Sequence, residues 1–101
     1  MTPNVASIVL LAFAATGTPI GLSWSPPTEN IDGSLIVEPL TYNVYRSNNG
    51  APYRLTPHAN IAATKVDITG FVSGETLCFE VTAIEGGVES SASLSACITV
   101  P

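Results

Sequence analysis

Short apolar segments separated by turn-forming residues run along the whole chain. In "PIGLSW", Ile20, Leu22 and Trp24 alternate with small or polar residues, which is the period of a half-buried strand. The next segment, "SPPTENIDGS", is predicted to be a loop, because its two prolines cannot donate to a sheet ladder and Asp-Gly favours a turn. A strand therefore ends abruptly in a long polar loop.

The same pattern continues to the end of the chain. "LTYNVYRS" is rich in strand formers, and "NNG" supplies residues that tolerate the positive φ angles of a tight turn. A short strand is expected around Tyr53–Thr56, "TKVDITGF" alternates again, and "ETLCFEVTAI", "EGG" and "SLSACITV" form a hairpin. Seven short strands without a convincing helix predict an all-β, antiparallel sandwich. Its predicted core residues are Trp24, Tyr42, Val44, Val66, Ile68, Phe79 and Val81.

The apolar segment "SIVLLAFAAT" (Ser7–Thr16) has two interpretations. It is far shorter than the roughly 20 residues that a membrane helix needs. It has the length of the apolar part of a secretory signal, with "AFA" as a cleavage site, but no Lys or Arg precedes it. We expect a first strand in a single domain, residues 1–101, that is made without an export signal. Residues 1–7 are then a candidate N-terminal arm.

Four segments together resemble the fibronectin type III domain of bacterial and bacteriophage proteins: "LSWSPPTENIDG", "YNVYR", "ITGFVSGETLCFEVTA" and "CITVP". The resemblance implies a seven-stranded, immunoglobulin-like sandwich with Trp24 on the second strand, inside the core. It also implies that the prolines begin the loop between the second and third strands. The family usually has Tyr at the position of Leu77, so a tyrosine-corner hydrogen bond is not available here.

The two cysteines predict a register for the last hairpin. If Cys78 faces Cys97, the apolar residues of both strands fall on one face, and a slip of one residue would move them all to the other. The same register gives the pairs Leu77–Ile98, Phe79–Ala96, Val81–Leu94 and Ala83–Ala92, with the turn at Gly87–Val88. We therefore expect Cys78 and Cys97 to be outward neighbours in one sheet. They form a disulfide in an oxidising environment and remain two reduced thiols in a cytosolic one.

The low positive charge of the chain excludes two classes of partner. Only 11% of the 101 residues are charged, the net charge is −5, and there are three Lys or Arg residues. So few cations cannot neutralise a phosphate backbone or hold an anionic membrane surface. Nucleic acid and membrane are therefore not expected as partners.

The sequence contains few candidates for catalysis or metal binding. His58 is the single histidine and lies in the loop-like "TPHAN", and no cysteines have the short spacing of a zinc site. Glu29, Asp32 and Glu38 share one loop and have the carboxylates that suit calcium, but they lack a regular ligand spacing, which favours a solvated loop. No nucleophile motif or phosphate-binding loop occurs. We expect no catalytic residue, no metal and no cofactor.

The apolar residues Leu35, Ile36 and Val37 in "SLIVEPL" are unusual for a loop. Either the loop folds back to cap the sandwich, or these residues form a patch that binds a partner. On analogy with small accessory domains of the resembled family, we expect a non-enzymatic structural or decoration protein of a bacteriophage virion (capsid or tail), made in the host cytoplasm. Its contacts, with other virion proteins or with further copies of itself, would use this patch or the arm.

The alternative is a carbohydrate- or surface-binding accessory module of a bacterial extracellular protein. A sugar site needs exposed aromatic rings that stack on sugar faces. Tyr45 and Tyr53, on either side of "NNG", are the candidates.

Overall fold

The computed structural model describes residues 2–4, 7–10 and 20–100. The strand segments in these ranges are β1 (Ser7–Leu10), β2 (Ile20–Ser25), β3 (Leu40–Asn48), β4 (Arg54–Leu55), β5 (Lys65–Ile68), β6 (Thr76–Glu85), β7 (Val88–Glu89) and β8 (Ala96–Thr99). The predicted first strand is present at β1, and its remaining residues, 11–16, lie outside the described ranges.

Two antiparallel sheets form a sandwich. The smaller sheet has the order β1-β2-β5, and the larger has the order β4-β3-β6, with β7 and β8 both paired to the far edge of β6. Because β7 and β8 are two parts of one returning strand, the described residues form seven strands. The predicted fold class is therefore confirmed.

The core lies between the two sheets, where alternate side chains of their facing strands meet. Six of the seven residues predicted for the core are buried, and Val66 is half-buried and packs against the others. The rings of Trp24 and Tyr42 meet edge-on, with their centroids 5.5 Å apart. The other buried members of this core among the described residues are Ile20, Leu22, Leu77, Ala83 and Val100.

The last hairpin has the predicted register at one end only. Cys78 pairs with Cys97, Leu77 with Ile98 and Phe79 with Ala96, as predicted. Near the turn the prediction is wrong, because Ile84 lies opposite Glu89 and the turn is formed by Gly86 and Gly87.

The register changes between β7 and β8, where two serines replace the predicted apolar partners. The backbone N–H groups of Ser90 and Ser93 donate to the carbonyls of Ala83 and Val81 at 2.7 and 2.9 Å. In return, Ser90 Oγ and Ser93 Oγ accept from the N–H groups of the same two residues at 2.9 and 3.0 Å. The hydroxyls thus stand in for backbone carbonyls, and the returning strand can accommodate extra residues. Leu94, predicted to face Val81, is instead 88% exposed.

The side chain of Arg46 connects β3 to the loop that follows β5 through two hydrogen bonds. Its Nη1 donates to the carbonyl of Thr69 at 2.9 Å and its Nη2 to that of Gly70 at 2.8 Å. Leu77, at the position where the resembled family usually has Tyr, is buried in the core. The arginine on a different strand therefore supplies polar contacts to the backbone upstream of Leu77.

The long loop after β2 is itself a small hairpin. Asn30 N–H donates to the Ser34 carbonyl at 2.8 Å, and Ile36 N–H donates to the Thr28 carbonyl at 3.0 Å. Residues 2–4 lie along its other side, since Asn4 N–H donates to the Glu29 carbonyl at 3.1 Å. The described part of the predicted N-terminal arm is therefore not free but paired with the chain's own loop, and Pro3 is fully buried.

Candidate binding surfaces

Exposed apolar side chains lie at the end of the sandwich where the long loop meets the β6–β7 turn. Leu35 is 70% exposed and Val37 88% exposed, and Val88 on β7 lies beside them. These three residues, which we call the end patch, line an open cleft of about 470 Å³.

The local backbone explains which of the predicted interface residues face solvent. Leu35 forms a bridge with Glu29, and the next residue donates its N–H to Thr28, so the loop is extended here. Alternate side chains of an extended segment point in opposite directions. Ile36 is accordingly half-buried, whereas Leu35 and Val37 are exposed. Of the three residues predicted as an interface, Leu35 and Val37 are therefore the exposed ones.

Two of the residues that line the cleft beside the end patch have a buried oxygen without a partner in the described part of the chain. Asn30 and Glu85 are both buried, and among the described residues no group donates to Asn30 Oδ1 or Glu85 Oε1. Asn30 is held in place by its amide Nδ2, which donates to Ser34 Oγ at 3.1 Å. A buried acceptor without a donor costs roughly 1–3 kcal/mol, so each of these oxygens is a local cost to the stability of the fold.

The acids of the long loop are not arranged as a metal site. Asp32 accepts from Ser34 N–H at 3.0 Å and from Ser34 Oγ at 2.7 Å, and these bonds lower the pKa of Asp32. In the part of the chain that the structure describes, no three side chains of the metal-binding types converge. Nor does any helix in that part have the length and hydropathy to cross a bilayer.

The outer face of the larger sheet holds a hydrogen-bond cluster that the sequence reasoning missed. Glu89 Oε2 accepts from Thr82 Oγ1, from the Tyr45 hydroxyl and from Asn43 Nδ2. The bonds from Thr82 and Tyr45, in that order, lower the pKa of Glu89, and the bond to Glu89 raises the pKa of Tyr45. The alternation of polar residues in β3 was the available signal.

Tyr53 lies across the same outer face. Its hydroxyl is 2.7 Å from Ser95 Oγ, which in turn donates to Glu80 Oε2 at 3.0 Å. Tyr53 precedes β4 and Ser95 precedes β8, with β3 and β6 between those strands. The tyrosine side chain therefore spans the sheet, and it is 37% exposed. The two predicted sugar-stacking residues, Tyr45 and Tyr53, thus share one face.

The outer face also carries the cysteines. Cys78 and Cys97 are joined by a disulfide, with their Cα atoms 4.1 Å apart. They lie opposite each other on β6 and β8, at the position where the alternation predicted outward neighbours.

A second cleft, of about 340 Å³, lies beside β4 and the segment that follows it. It brings together two of the three Lys and Arg residues of the chain and its single histidine. The residues that line it are Arg46, Arg54, Leu55, Thr56, Pro57, His58, Ile68 and Thr69. Sequence reasoning placed His58 in a loop but did not connect it with the arginines.

Comparison with known proteins identifies the family through solved structures. No protein-family model and no curated protein sequence matches the chain. A crystal structure of an Fn3-like protein from Clostridium thermocellum is 31% identical, with 98% of this chain and 91% of that chain covered and a TM-score of 0.64.

Two further structures share the fold at lower identity. A human FNIII domain solved in solution is 18% identical over 98% of this chain and 79% of its own, with a TM-score of 0.75. The twitchin kinase region from C. elegans is 20% identical and has a TM-score of 0.74; the match covers all of this chain but 17% of that one. These two neighbours share the fold, and the clostridial relative shows that the chain belongs to the fibronectin type III family.

Proposed function

We propose that this domain is a non-enzymatic structural module that binds a protein partner through the end patch, and that its setting is the capsid or tail of a bacteriophage virion. The observation that carries the proposal is the exposure of Leu35 and Val37 beside an open cleft, which these two residues line together with Val88. Contiguous apolar surface of this kind is typical of interaction sites.

The patch favours a partner of defined chemistry. Burial of Leu35 and Val37 would contribute roughly 1.5–3 kcal/mol each if it were complete. Glu38 and Glu85 line the same cleft, which favours a partner with a Lys or Arg side chain at this place.

The surface disulfide is compatible with this setting. Disulfides persist on virion and cell surfaces and in secreted proteins, and are rare in the cytosol. Cys78 and Cys97 lie on the outer face of the sheet, where the surrounding redox conditions act on them directly.

A particle-incorporation assay tests the proposal. The wild type and a Leu35→Asp/Val37→Asp variant are expressed during assembly of a phage whose genome carries the gene, and their copy numbers in purified particles are measured by mass spectrometry. We expect the wild type in the particles and the double variant reduced by at least about tenfold, since the lost burial exceeds 1.4 kcal/mol.

Leu94→Asp is the matched control, because Leu94 is as exposed as Val37 but lies outside the end patch. It should be incorporated like the wild type. Equal incorporation of the control and the double variant would refute the patch, and absence of the wild type from the particles would refute the virion setting.

A second candidate function rests on the outer face of the larger sheet. Tyr53 lies across this face, beside Glu80 and the cluster of Tyr45, Asn43 and Glu89. A partly exposed tyrosine next to carboxylates and an amide offers both stacking and hydrogen bonds to a sugar. The domain would then be a carbohydrate- or surface-binding module of an extracellular protein.

Affinity electrophoresis in gels that contain bacterial cell-wall or exopolysaccharide glycans separates the two candidates. The carbohydrate function predicts that a glycan retards the wild type and that Tyr53→Ala removes the retardation, whereas the Leu35→Asp/Val37→Asp variant is retarded like the wild type. If no glycan retards the wild type, this second candidate is rejected.

A further inference from the structure

We propose that the cleft lined by Arg46, Arg54 and His58 binds a compact oxyanion, a carboxylate or phosphate group of a small ligand or of a partner's side chain. The proposal concerns the side of the sandwich between β4 and β5 and does not depend on the proposed function. It rests on the way the fold pairs the two arginines and on the hydrogen-bond donors that they leave unused.

The fold places two like charges directly opposite each other. Arg54 of β4 pairs with Arg46 of β3 in the antiparallel register, so the two side chains share one face of the sheet. Like charges in this arrangement repel each other and destabilise a sheet. Desolvation lowers the pKa of Arg46, the charge of Glu75 opposes this effect, and the charge of Arg54 adds to it.

The chain supplies only partial compensation for these charges. Glu75 is the carboxylate that interacts electrostatically with both arginines. Its oxygens, however, accept from Val72 N–H at 2.7 Å and from Asn48 Nδ2 at 2.8 Å. Among the described residues, no hydrogen bond or ion pair engages the Arg54 guanidinium.

Donors remain available on both guanidinium groups. A guanidinium carries five N–H donors, and Arg46 uses three of them, on Asn48, Thr69 and Gly70. These bonds fix the buried Arg46, which is only 9% exposed, so that its position does not depend on a ligand. The side chain of Arg54 is exposed, so it can change its conformation to contact a ligand. The half-buried His58 adds a third nitrogen-bearing side chain to the cleft.

The chemistry of the cleft selects an oxyanion. Guanidinium groups form paired, charge-assisted hydrogen bonds with carboxylate and phosphate oxygens. The molecule as a whole has a net charge of −5 and repels anions, so nonspecific attraction does not favour binding at this place. An anion bound between the arginines would reduce their mutual repulsion, and this reduction favours binding at this cleft over the rest of the surface. The cleft volume of about 340 Å³ suits a small ligand or one side chain.

An NMR titration with two simple probes, sodium phosphate and sodium acetate, tests the inference, with sodium chloride at matched ionic strength as the reference. We expect saturable changes in the amide shifts of residues 54–56, 58 and 68–70. A stronger response to phosphate assigns a phosphoryl ligand, and a stronger response to acetate assigns a carboxylate ligand. Either one supports the oxyanion site.

Two variants that remove the same charge show whether the effect is local. Arg54→Gln should weaken binding of the better probe by about tenfold, the value of one charge-assisted hydrogen bond. Lys65→Gln removes the cation that does not line the cleft and should change the affinity by less than about twofold. Both residues are exposed, and the amide spectrum of each variant verifies its fold.

Three results would overturn the inference: shifts no larger than those caused by chloride, shifts spread over the whole surface, or equal weakening by the two variants. The particle-incorporation assay described above is unaffected by each of them, because the end patch lies on other loops.

Discussion

At the scale of single residues, Arg46 combines burial, charge and a structural contact. It lies on the core side of β3 and donates to the carbonyls of Thr69 and Gly70, upstream of the buried Leu77. The family usually stabilises this region with a tyrosine at the position of Leu77. In this chain, an arginine on another strand provides polar contacts to the same stretch of backbone.

Replacement of Arg46 by Met should therefore lower the free energy of unfolding by about 2–3 kcal/mol, because charge-assisted bonds to two carbonyls are lost. The free energy of unfolding of Arg46→Lys should lie between those of Arg46→Met and the wild type, since an ammonium group cannot form the two parallel hydrogen bonds of a guanidinium. Urea unfolding followed by Trp24 fluorescence provides the measurement.

Arg54→Met is the matched control for this prediction. It removes the same charge from an exposed position that has no described hydrogen bond, and we expect a change within about 0.5 kcal/mol. Similar losses for the two variants would show that net charge, rather than the carbonyl contacts of Arg46, determines the effect.

At the scale of elements, the last strand is divided by a serine-stabilised bulge. Ser90 and Ser93 are almost fully buried, and each both donates to and accepts from β6. A hydroxyl that replaces a carbonyl keeps the N–H groups of Val81 and Ala83 satisfied. Without it, two buried donors would lose their partners.

Ser90→Ala and Ser93→Ala should each lower the free energy of unfolding by roughly 1–3 kcal/mol, the cost of one buried unsatisfied donor. The exposed Ser91 is the control, and Ser91→Ala should have an effect within about 0.5 kcal/mol. Hydrogen exchange gives a second readout, because the amides of Ala83 and Val81 should lose protection in the respective variants. Unchanged protection would contradict the assigned role of the hydroxyls.

At the scale of the whole molecule, several carboxylates are stabilised in their ionised form. The pKa values of Asp32, Glu75 and Glu89 are lowered mainly by hydrogen bonds from Ser34, from Val72 N–H and from Thr82, respectively. Each of these groups binds fewer protons in the folded than in the unfolded state near its pKa. Their stabilising contribution is therefore complete above the ordinary values of 3.8 for Asp and 4.5 for Glu, and it is lost as the pH falls below them.

We therefore expect the urea midpoint to fall as the pH is lowered from about 6 to about 3. Glu89→Gln should give a shallower dependence, because it removes one of the titrating groups that lose favourable bonds on protonation. Because these groups are largely exposed, solvent screening keeps each contribution small. A midpoint that rises over this range would show that relief of the net negative charge outweighs the hydrogen bonds.

The sequence by itself determined the sandwich, most of its core and the register near the cysteines. Alternation with a period of two decides which side chains face inward, and a one-residue slip would expose all of them at once. Trp24, Phe79 and Val81 were therefore predictable from local pattern alone, and so was the pairing of Cys78 with Cys97. For Leu35 and Val37 the sequence left two interpretations open, because their loop has no strand face to bury them, and both side chains are exposed.

Only the tertiary structure decided the contacts between segments that the local pattern does not relate. Three contacts depend on which strands are neighbours. Arg46 pairs with Arg54, Tyr53 spans the larger sheet, and residues 2–4 pack along the long loop. The serine bulge between β7 and β8 likewise depends on side-chain acceptors that meet β6. Alternation specifies which face a residue occupies, whereas the partner it meets is set by sheet order and by hydrogen bonds between distant parts of the chain.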